Sequence, residues 1–304
     1  MSNNQFAQTA GEVLMIRPCG FCFNTQTAAN NAFQVEGFSQ QAQDHALQEF
    51  DAYVELLQSA GVKVNVVEDT PRPHTPDSIF PNNWFSTHSD GTLVLYPMFA
   101  QNRREERKQT VIDFLIEKYD ITSICDLTPY EKKNLFLEGT GSMVIDREHG
   151  VVFACRSPRT NETVLKEFSK YFGWDYILFE ANDMQGGAIY HTNVMMSVGS
   201  KFAILCTESI TDKKERTNVV ETLKGFGKDI IEISFDQMNH FAGNMLELHA
   251  SRPVLVMSDT AKNAMQLNQM DILQSYYGVV APKLDYIEKN GGGSARCMMA
   301  EIFF

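Results

Sequence analysis

The sequence predicts an α/β fold in a single domain over residues 1–304, built from roughly five cycles of short strands and one helix. Two patterns predict it. Short apolar or alternating runs bounded by Gly, Asp, Asn and Pro recur along the chain, and stretches of helical period separate them. The strands often come in pairs before the next helix, and no G-x-G-x-x-G leads a strand into a helix, so the pattern is not that of a doubly wound dinucleotide-binding sheet. No Pro/Gly/Ser-rich linker long enough to mark a domain boundary interrupts it.

The strand-like runs are 13–17, 62–68, 92–96, 142–145, 151–155, 176–180, 194–197, 201–206, 230–235, 245–249 and 253–257. The clearest helical stretches are 42–60, 104–118, 161–172, 212–226 and 260–276. In the first, Ala46, Leu47, Phe50, Tyr53, Val54 and Leu57 form an apolar stripe of period 3.6, closed by Gly61.

A net charge of −12 argues against a nucleic-acid partner, which calls for a clustered basic surface. The one dense basic run, Arg103, Arg104, Arg107 and Lys108, alternates with Glu105 and Glu106 and reads as a solvated helix face. No stretch reaches the roughly 20 apolar residues of a membrane helix. The polar stretch 1–11 lacks the charged start and apolar centre of a signal peptide, and the six cysteines are dispersed, so a reduced, cytoplasmic setting is expected. Cys19 and Cys22 form a lone C-x-x-C with neither a second pair nor a histidine at finger spacing, which does not make a metal site. Homo-oligomerisation is left open.

The chemistry-bearing residues lie in glycine-rich or amide-rich turns. Gly291, Gly292 and Gly293 run through Ser294, Ala295 and Arg296 to Cys297, a candidate nucleophile beside a cation that would favour its thiolate. Of the seven histidines, His191 opens an apolar run after Gly186 and Gly187 and is placed to face a cavity. His240 has a weaker claim of the same kind, and His45, His88 and His149 read as exposed. Glu138 precedes Gly139, Thr140 and Gly141, a tight turn that leaves its carboxylate free for a substrate N–H. Asp77 opens a loop that brings Asn82 and Asn83 before Trp84. Each feature also has a structural reading: a hinge before a last strand, a core histidine, a turn with an exposed acid, amides in a turn.

Together, Leu137-Glu138-Gly139, Ser157-Pro158-Arg159-Thr160-Asn161, His191-x-Asn193 and the glycine loop with Cys297 resemble the pentein superfamily of guanidine-modifying enzymes over nearly the whole chain. The stretch from Met15 to Gln34, with Phe23-Asn24, Thr27-Ala28 and Asn30-Asn31, is most similar to the citrulline utilization hydrolases. The resemblance implies a five-bladed α/β propeller of pseudo-fivefold symmetry with the site on its axis. It implies Cys297 as nucleophile, His191 as general acid/base, Glu138 as the carboxylate orienting the substrate, and Arg159 as the partner of an amino acid's carboxylate. No cofactor or metal is implied.

Arginine deiminases carry aspartates where this chain has Asn83 and Asn193. Amides in their place suit a neutral ureido group, so the expected reaction is hydrolysis of citrulline to ornithine, carbon dioxide and ammonia through an S-carbamoyl enzyme. The alternatives are a deiminase, a dimethylarginine hydrolase or an amidinotransferase acting on a guanidino group, and a non-catalytic amino-acid-binding protein on the same scaffold.

Overall fold

The computed structural model describes residues 7–36 and 41–304, so the first six residues of the polar 1–11 stretch lie outside it. Among the described residues, fifteen strands form five three-stranded sheets, in keeping with the five blades that the resemblance implies. The first sheet holds β1 (Glu12–Arg17) and β2 (Lys63–Glu68), which run parallel. The second contains β3 (Phe85–Thr87), β4 (Thr92–Leu95) and β5 (Ser123–Asp126). The third contains β6 (Met143–Asp146), β7 (Val151–Cys155) and β8 (Asp175–Phe179). The fourth contains β9 (Met196–Val198), β10 (Phe202–Leu205) and β11 (Asp229–Glu232), and the fifth β12 (Leu246–Leu248), β13 (Val254–Val256) and β14 (Gly278–Val280). Finally β15 (Ala300–Ile302) returns antiparallel to β1, so the two ends of the chain complete one blade and close the ring.

Each blade repeats one unit: an antiparallel pair, a helix, then a strand parallel to the second of the pair. A parallel neighbour cannot be reached by a tight turn, so the helix makes the crossover. These helices are α1 (Ala42–Ser59), α2 (Gln109–Lys118), α3 (Glu162–Phe172), α4 (Lys213–Gly225) and α5 (Leu267–Tyr276). Helix α1 buries Ala46, Phe50, Tyr53, Val54 and Leu57, the stripe read from the sequence apart from Leu47. Helix α3 starts on Asn161, whose side chain accepts from Thr163 N, and stops at Gly173 in the left-handed region (φ 67°).

Two helices differ from the sequence expectation. The stretch 104–118 is a short turn, Gln101–Arg104, followed by α2, with Lys108 extended between them. Arg103, inside the first turn, is buried, and its guanidinium pairs with Glu106 between the two helical pieces. The stretch 260–276 divides into Asp259–Ala264 and α5, with Met265 and Gln266 extended between. Among the described residues, no helix is long and apolar enough to cross a membrane.

The five turns that lead into the first strand of each blade carry the polar residues of interest. They are Pro81–Asn83 before β3, Gly139–Ser142 before β6, Thr192–Met195 before β9, the turn ending at Asn244 before β12, and Ala295–Met298 before β15. Residues far apart in sequence therefore meet near the axis.

Candidate active site

Cys297 is buried in the turn before β15, and two amide N–H donors point at its sulfur. Asn193 Nδ2 lies 3.5 Å from Sγ and Asn244 Nδ2 3.2 Å. Asn244 is itself aligned, because its Oδ1 accepts from Arg296 N at 3.1 Å. Only the backbone of Arg296 serves the site: its guanidinium turns to Glu301 (3.5 Å), so the cation expected beside the thiol is not there. A side chain alternates direction along an extended or tightly turned backbone, and the neighbour of a buried thiol points elsewhere.

His191 is buried, and its Nε2 lies 2.8 Å from Glu138 Oε2. The Glu138 carboxylate is fully engaged rather than free. Oε1 accepts from Phe99 N at 2.9 Å, and Oε2 also faces Arg159 Nη1 at 3.5 Å. Burial alone would raise this carboxyl, but Arg159, the His191 hydrogen bond and Arg103 overcome it and hold it down to about 2. Burial draws His191 down to about 4, with Glu138 opposing in part. At neutral pH the pair is therefore carboxylate and neutral imidazole.

Gly141 makes this arrangement possible. A Cβ there would come within 2.4 Å of Asn83 Nδ2 and 2.8 Å of His191 Nδ1, so both groups occupy space that only a glycine leaves open. It is Asn83 rather than Asn82 that faces the cavity, since Asn82 Nδ2 turns to Thr140 Oγ1.

Arg103 is the main residue whose place differs from the sequence expectation. It is buried, not part of a solvated face, and forks onto Glu106 at 2.9 and 3.0 Å. Its Nη1 donates to Asn83 Oδ1 at 2.8 Å, and its Nε is 3.9 Å from Asp77. Lys108 from the same run is likewise paired with Asp69. Burial raises Asp77, which accepts from Asn24 Nδ2 and Thr27 Oγ1, and pushes Glu106 up to about 7.

Arg159 lies over the Tyr190 ring and donates to Asn30 Oδ1 at 2.9 Å and Thr27 O at 3.0 Å. Asn31 and Gln34 donate to Gly292 O and Gly291 O at 3.2 and 3.0 Å, and Tyr190 Oη to Gly292 O at 2.7 Å. Gly292 sits at φ 63°, and a Cβ would strike Asn31 at 2.5 Å. The 24–35 segment is thus latched onto the glycine loop, and the cavity beside it measures only about 20 Å³.

Asp77, Asn83, Arg103, Arg159, His191 and Cys297 all line that cavity, with Asn193 against the sulfur and Glu138 beneath His191 and Arg159. Among the described residues, Asp77 Oδ1, Asn83 Nδ2 and Asn193 Oδ1 are buried without a hydrogen-bond partner. Buried polar atoms left unpaired are costly, so three such atoms together point to a polar ligand. His240 is exposed and does not line the cavity that holds Cys297. His88, expected at the surface, is buried against Phe172 and Trp174. One cluster elsewhere, Asp146, Glu148 and His149, has the geometry of a cation site, but Lys228 Nζ already lies 3.3 and 3.4 Å from the two acids.

Asn244 does not stand out in the sequence. The signal for it is positional: it occupies in the fifth blade the turn that supplies Asn83, Glu138, Asn193 and Cys297 in the others. Hydrogen bonds to a charged group contribute about 1.5–3 kcal/mol. Asn244→Ala is accordingly expected to slow alkylation of Cys297 by iodoacetamide by about 10-fold or more, measured by mass spectrometry; an unchanged rate removes the role.

The profile of the family described as N,N dimethylarginine dimethylhydrolase, eukaryotic, matches residues 17–304. No curated protein matches the chain by sequence. Among solved structures, the substrate-bound N-terminal domain of ArgZ, an arginine dihydrolase of Cyanobacteria, is 16% identical with a TM-score of 0.75, over 96% of this chain and 99% of that one. A mutant of AgrE with L-arginine is 17% identical with a TM-score of 0.76, over 95% and 40%. The Pseudomonas aeruginosa DDAH complexed with citrulline is 14% identical with a TM-score of 0.67, over 97% and 100%. This chain spans about two fifths of full-length ArgZ, 41%. At these identities the structures share the fold, while the profile covers nearly the whole sequence: the chain belongs to the N,N-dimethylarginine dimethylhydrolase family of penteins.

Proposed function

We propose that the protein is a cysteine-dependent hydrolase acting on the guanidino group of a free arginine-type amino acid. The observation that carries this reading is the charge of the closed site. Asp77 and Glu138 stand against Arg103 and Arg159, and Glu106, pushed up to about 7, adds a further negative charge as it ionises. Free arginine brings one positive charge and citrulline none. Family membership and the fold shared with an arginine dihydrolase support the same choice.

A cavity of about 20 Å³ holds a water, not an amino acid, so the 24–35 segment must lift to admit substrate. Lifting it withdraws Asn30 Oδ1 and Thr27 O from Arg159, and the freed fork suits the substrate's carboxylate. Asp77 Oδ1, unpartnered, suits the ammonium.

Neutral His191 takes the thiol proton of Cys297, and the thiolate forms a bond to the guanidino carbon. The adduct expels a terminal amine, which leaves with the proton held by His191, and a thiouronium ester remains on Cys297. Water then adds to the same carbon, giving a proton to His191, and the C–S bond breaks to release a ureido product. Glu138 raises the basicity of His191 and keeps its ring oriented.

A second reading rests on Asn83. Because a guanidinium only donates, Arg103 fixes Asn83 Oδ1 toward itself and leaves Nδ2 as the unpartnered donor. A ureido oxygen would satisfy that donor, which favours citrulline, with ornithine as leaving group and an S-carbamoyl enzyme. Incubation with arginine, N,N-dimethylarginine and citrulline, with ammonia, amine, citrulline and ornithine quantified separately, tests both. Consumption of a guanidino substrate is expected; turnover of citrulline alone selects the second reading.

The proton chemistry requires neutral His191, so kcat/KM is expected to fall with an acid limb near pH 4 and to be independent of pH from about 5 to 6, below the range in which Glu106 ionises. A limb near the ordinary imidazole value would show that another group controls the reaction.

A further inference from the structure

Glu106 is buried in the bend between the Gln101–Arg104 turn and α2, yet it does not line the catalytic cavity. Among the described residues, Arg103 is the one donor to its side-chain oxygens, through Nε at 2.9 Å and Nη2 at 3.0 Å. The same guanidinium reaches the cavity wall from its other edge, where Nη1 donates to Asn83 Oδ1 at 2.8 Å and Nη2 to Phe80 O at 3.2 Å. Arg103 therefore stands between Glu106 and any ligand.

Burial opposes ionisation of Glu106 most strongly, Arg103 favours it, and Asp77 from the loop before β3 and Glu138 from the turn before β6 oppose it. The balance places the carboxyl at about 7, so it changes charge near neutral pH, where Glu138 is a carboxylate and His191 is neutral. Repulsion between charges is reciprocal. What Asp77 and Glu138 impose on Glu106, an ionised Glu106 imposes on the cavity that Asp77 lines, and buried charges are weakly screened.

We propose that Glu106 is a positioning residue that sets the charge preference of the site: its carboxylate occupies Arg103 from behind and makes the cavity select a cationic guanidino ligand over a neutral ureido one. The proposal rests on the functional reading above. With Glu106 protonated, the charge of Arg103 falls on Asp77, 3.9 Å from its Nε, and Asp77 and Glu138 cancel Arg103 and Arg159. With Glu106 ionised, a further negative charge is left over, and a ligand cation compensates it. Binding of the cation must in turn favour loss of the Glu106 proton. A carboxylate that only held the Arg103 side chain in place would give neither effect, since a glutamine oxygen also accepts from a guanidinium.

The test is calorimetric titration of the full chain carrying Cys297→Ala with arginine and with citrulline, two probes that differ in the charge of the end group. In buffers of different ionisation enthalpy at pH 7, arginine is expected to release about 0.3–0.5 proton on binding and citrulline less than about 0.1. The ratio of the citrulline Kd to the arginine Kd is expected to rise about 10-fold between about pH 5.5 and pH 8.5, a window in which His191 stays neutral. Glu49, which accepts from Tyr286 N and Ile287 N, is also pushed up to about 7, so a variant must separate the two acids. Adding Glu106→Gln should abolish both the differential proton release and the rise in the ratio while arginine still binds. Equal proton release by the two ligands, a ratio independent of pH, or a rise that survives Glu106→Gln overturns the proposal and leaves the functional reading standing. Binding of neither ligand removes the functional reading, and the proposal with it.

Discussion

Replacing Cys297 by alanine is expected to lower kcat by on the order of 10⁴-fold or more, because no other buried nucleophile faces the cavity among its lining residues. The loss should be chemical rather than structural. Alanine removes the acceptor of Asn193 Nδ2 and Asn244 Nδ2, and leaving buried donors unpaired costs about 1–3 kcal/mol. Circular dichroism should therefore show a folded protein of modestly lower Tm. Intact-mass measurement under turnover should show a covalent adduct in the unmodified protein and none in the variant. Turnover within 10-fold of the unmodified protein would remove the covalent mechanism.

Glu138→Gln is expected to be damaging too, though less so and for a different reason. The carboxylate lies beneath the site, bound to His191 Nε2 and paired with Arg159. The amide nearly preserves its volume but removes the charge that compensates Arg159 and supports His191. Breaking a buried pair from one side costs about 3–5 kcal/mol, so a lower Tm is expected. The folded-state pKa of Glu138, about 2, lies below its ordinary value. Its contribution is thus complete above about pH 4.5 and is lost as pH falls through about 2. The variant should lack that component, and the stability difference between the two proteins should narrow across that window.

The activity readout separates positioning of His191 from bulk stability. Glu138 raises the His191 pKa against burial, so its removal should make the imidazole a weaker base. We expect kcat to fall by about 10²- to 10³-fold, within the range seen when acid–base catalysis is lost, and the acid limb of kcat/KM to move below pH 4. A loss of kcat with an unmoved limb would assign Glu138 a structural role alone.

How far the site can be read from sequence depends on how local each signal is. Cys297, His191 and Glu138 stand beside glycines that force turns, and a turn residue with reactive chemistry shows itself within six or seven letters. The strand pairs and helical stripes are equally local, since side-chain direction follows from a period of 2 or 3.6. Asn83 and Asn82 cannot be told apart there, because the register of a turn is set by what packs against it, here Thr140 on one side and Arg103 on the other.

For Arg103, Arg296 and His88 the sequence neighbours suggest one environment, and long-range partners decide otherwise. Arg103 looks like one charge in a solvated run until Asp77, Glu106 and Asn83 surround it. Arg296 sits beside Cys297 in sequence, yet its guanidinium leaves for Glu301. By itself the sequence determined the strand–helix cycle and the reactive residue types in their turns, because both are short-range properties of the chain. Ring closure through β1 and β15, the Asn244 contact to sulfur and the gathering of Asp77, Arg103 and Arg159 around the cavity were decided only by tertiary structure. Desolvation and Coulomb attraction act through space, and the axis gathers residues that the sequence holds more than 200 positions apart, as it does Asn83 and Cys297.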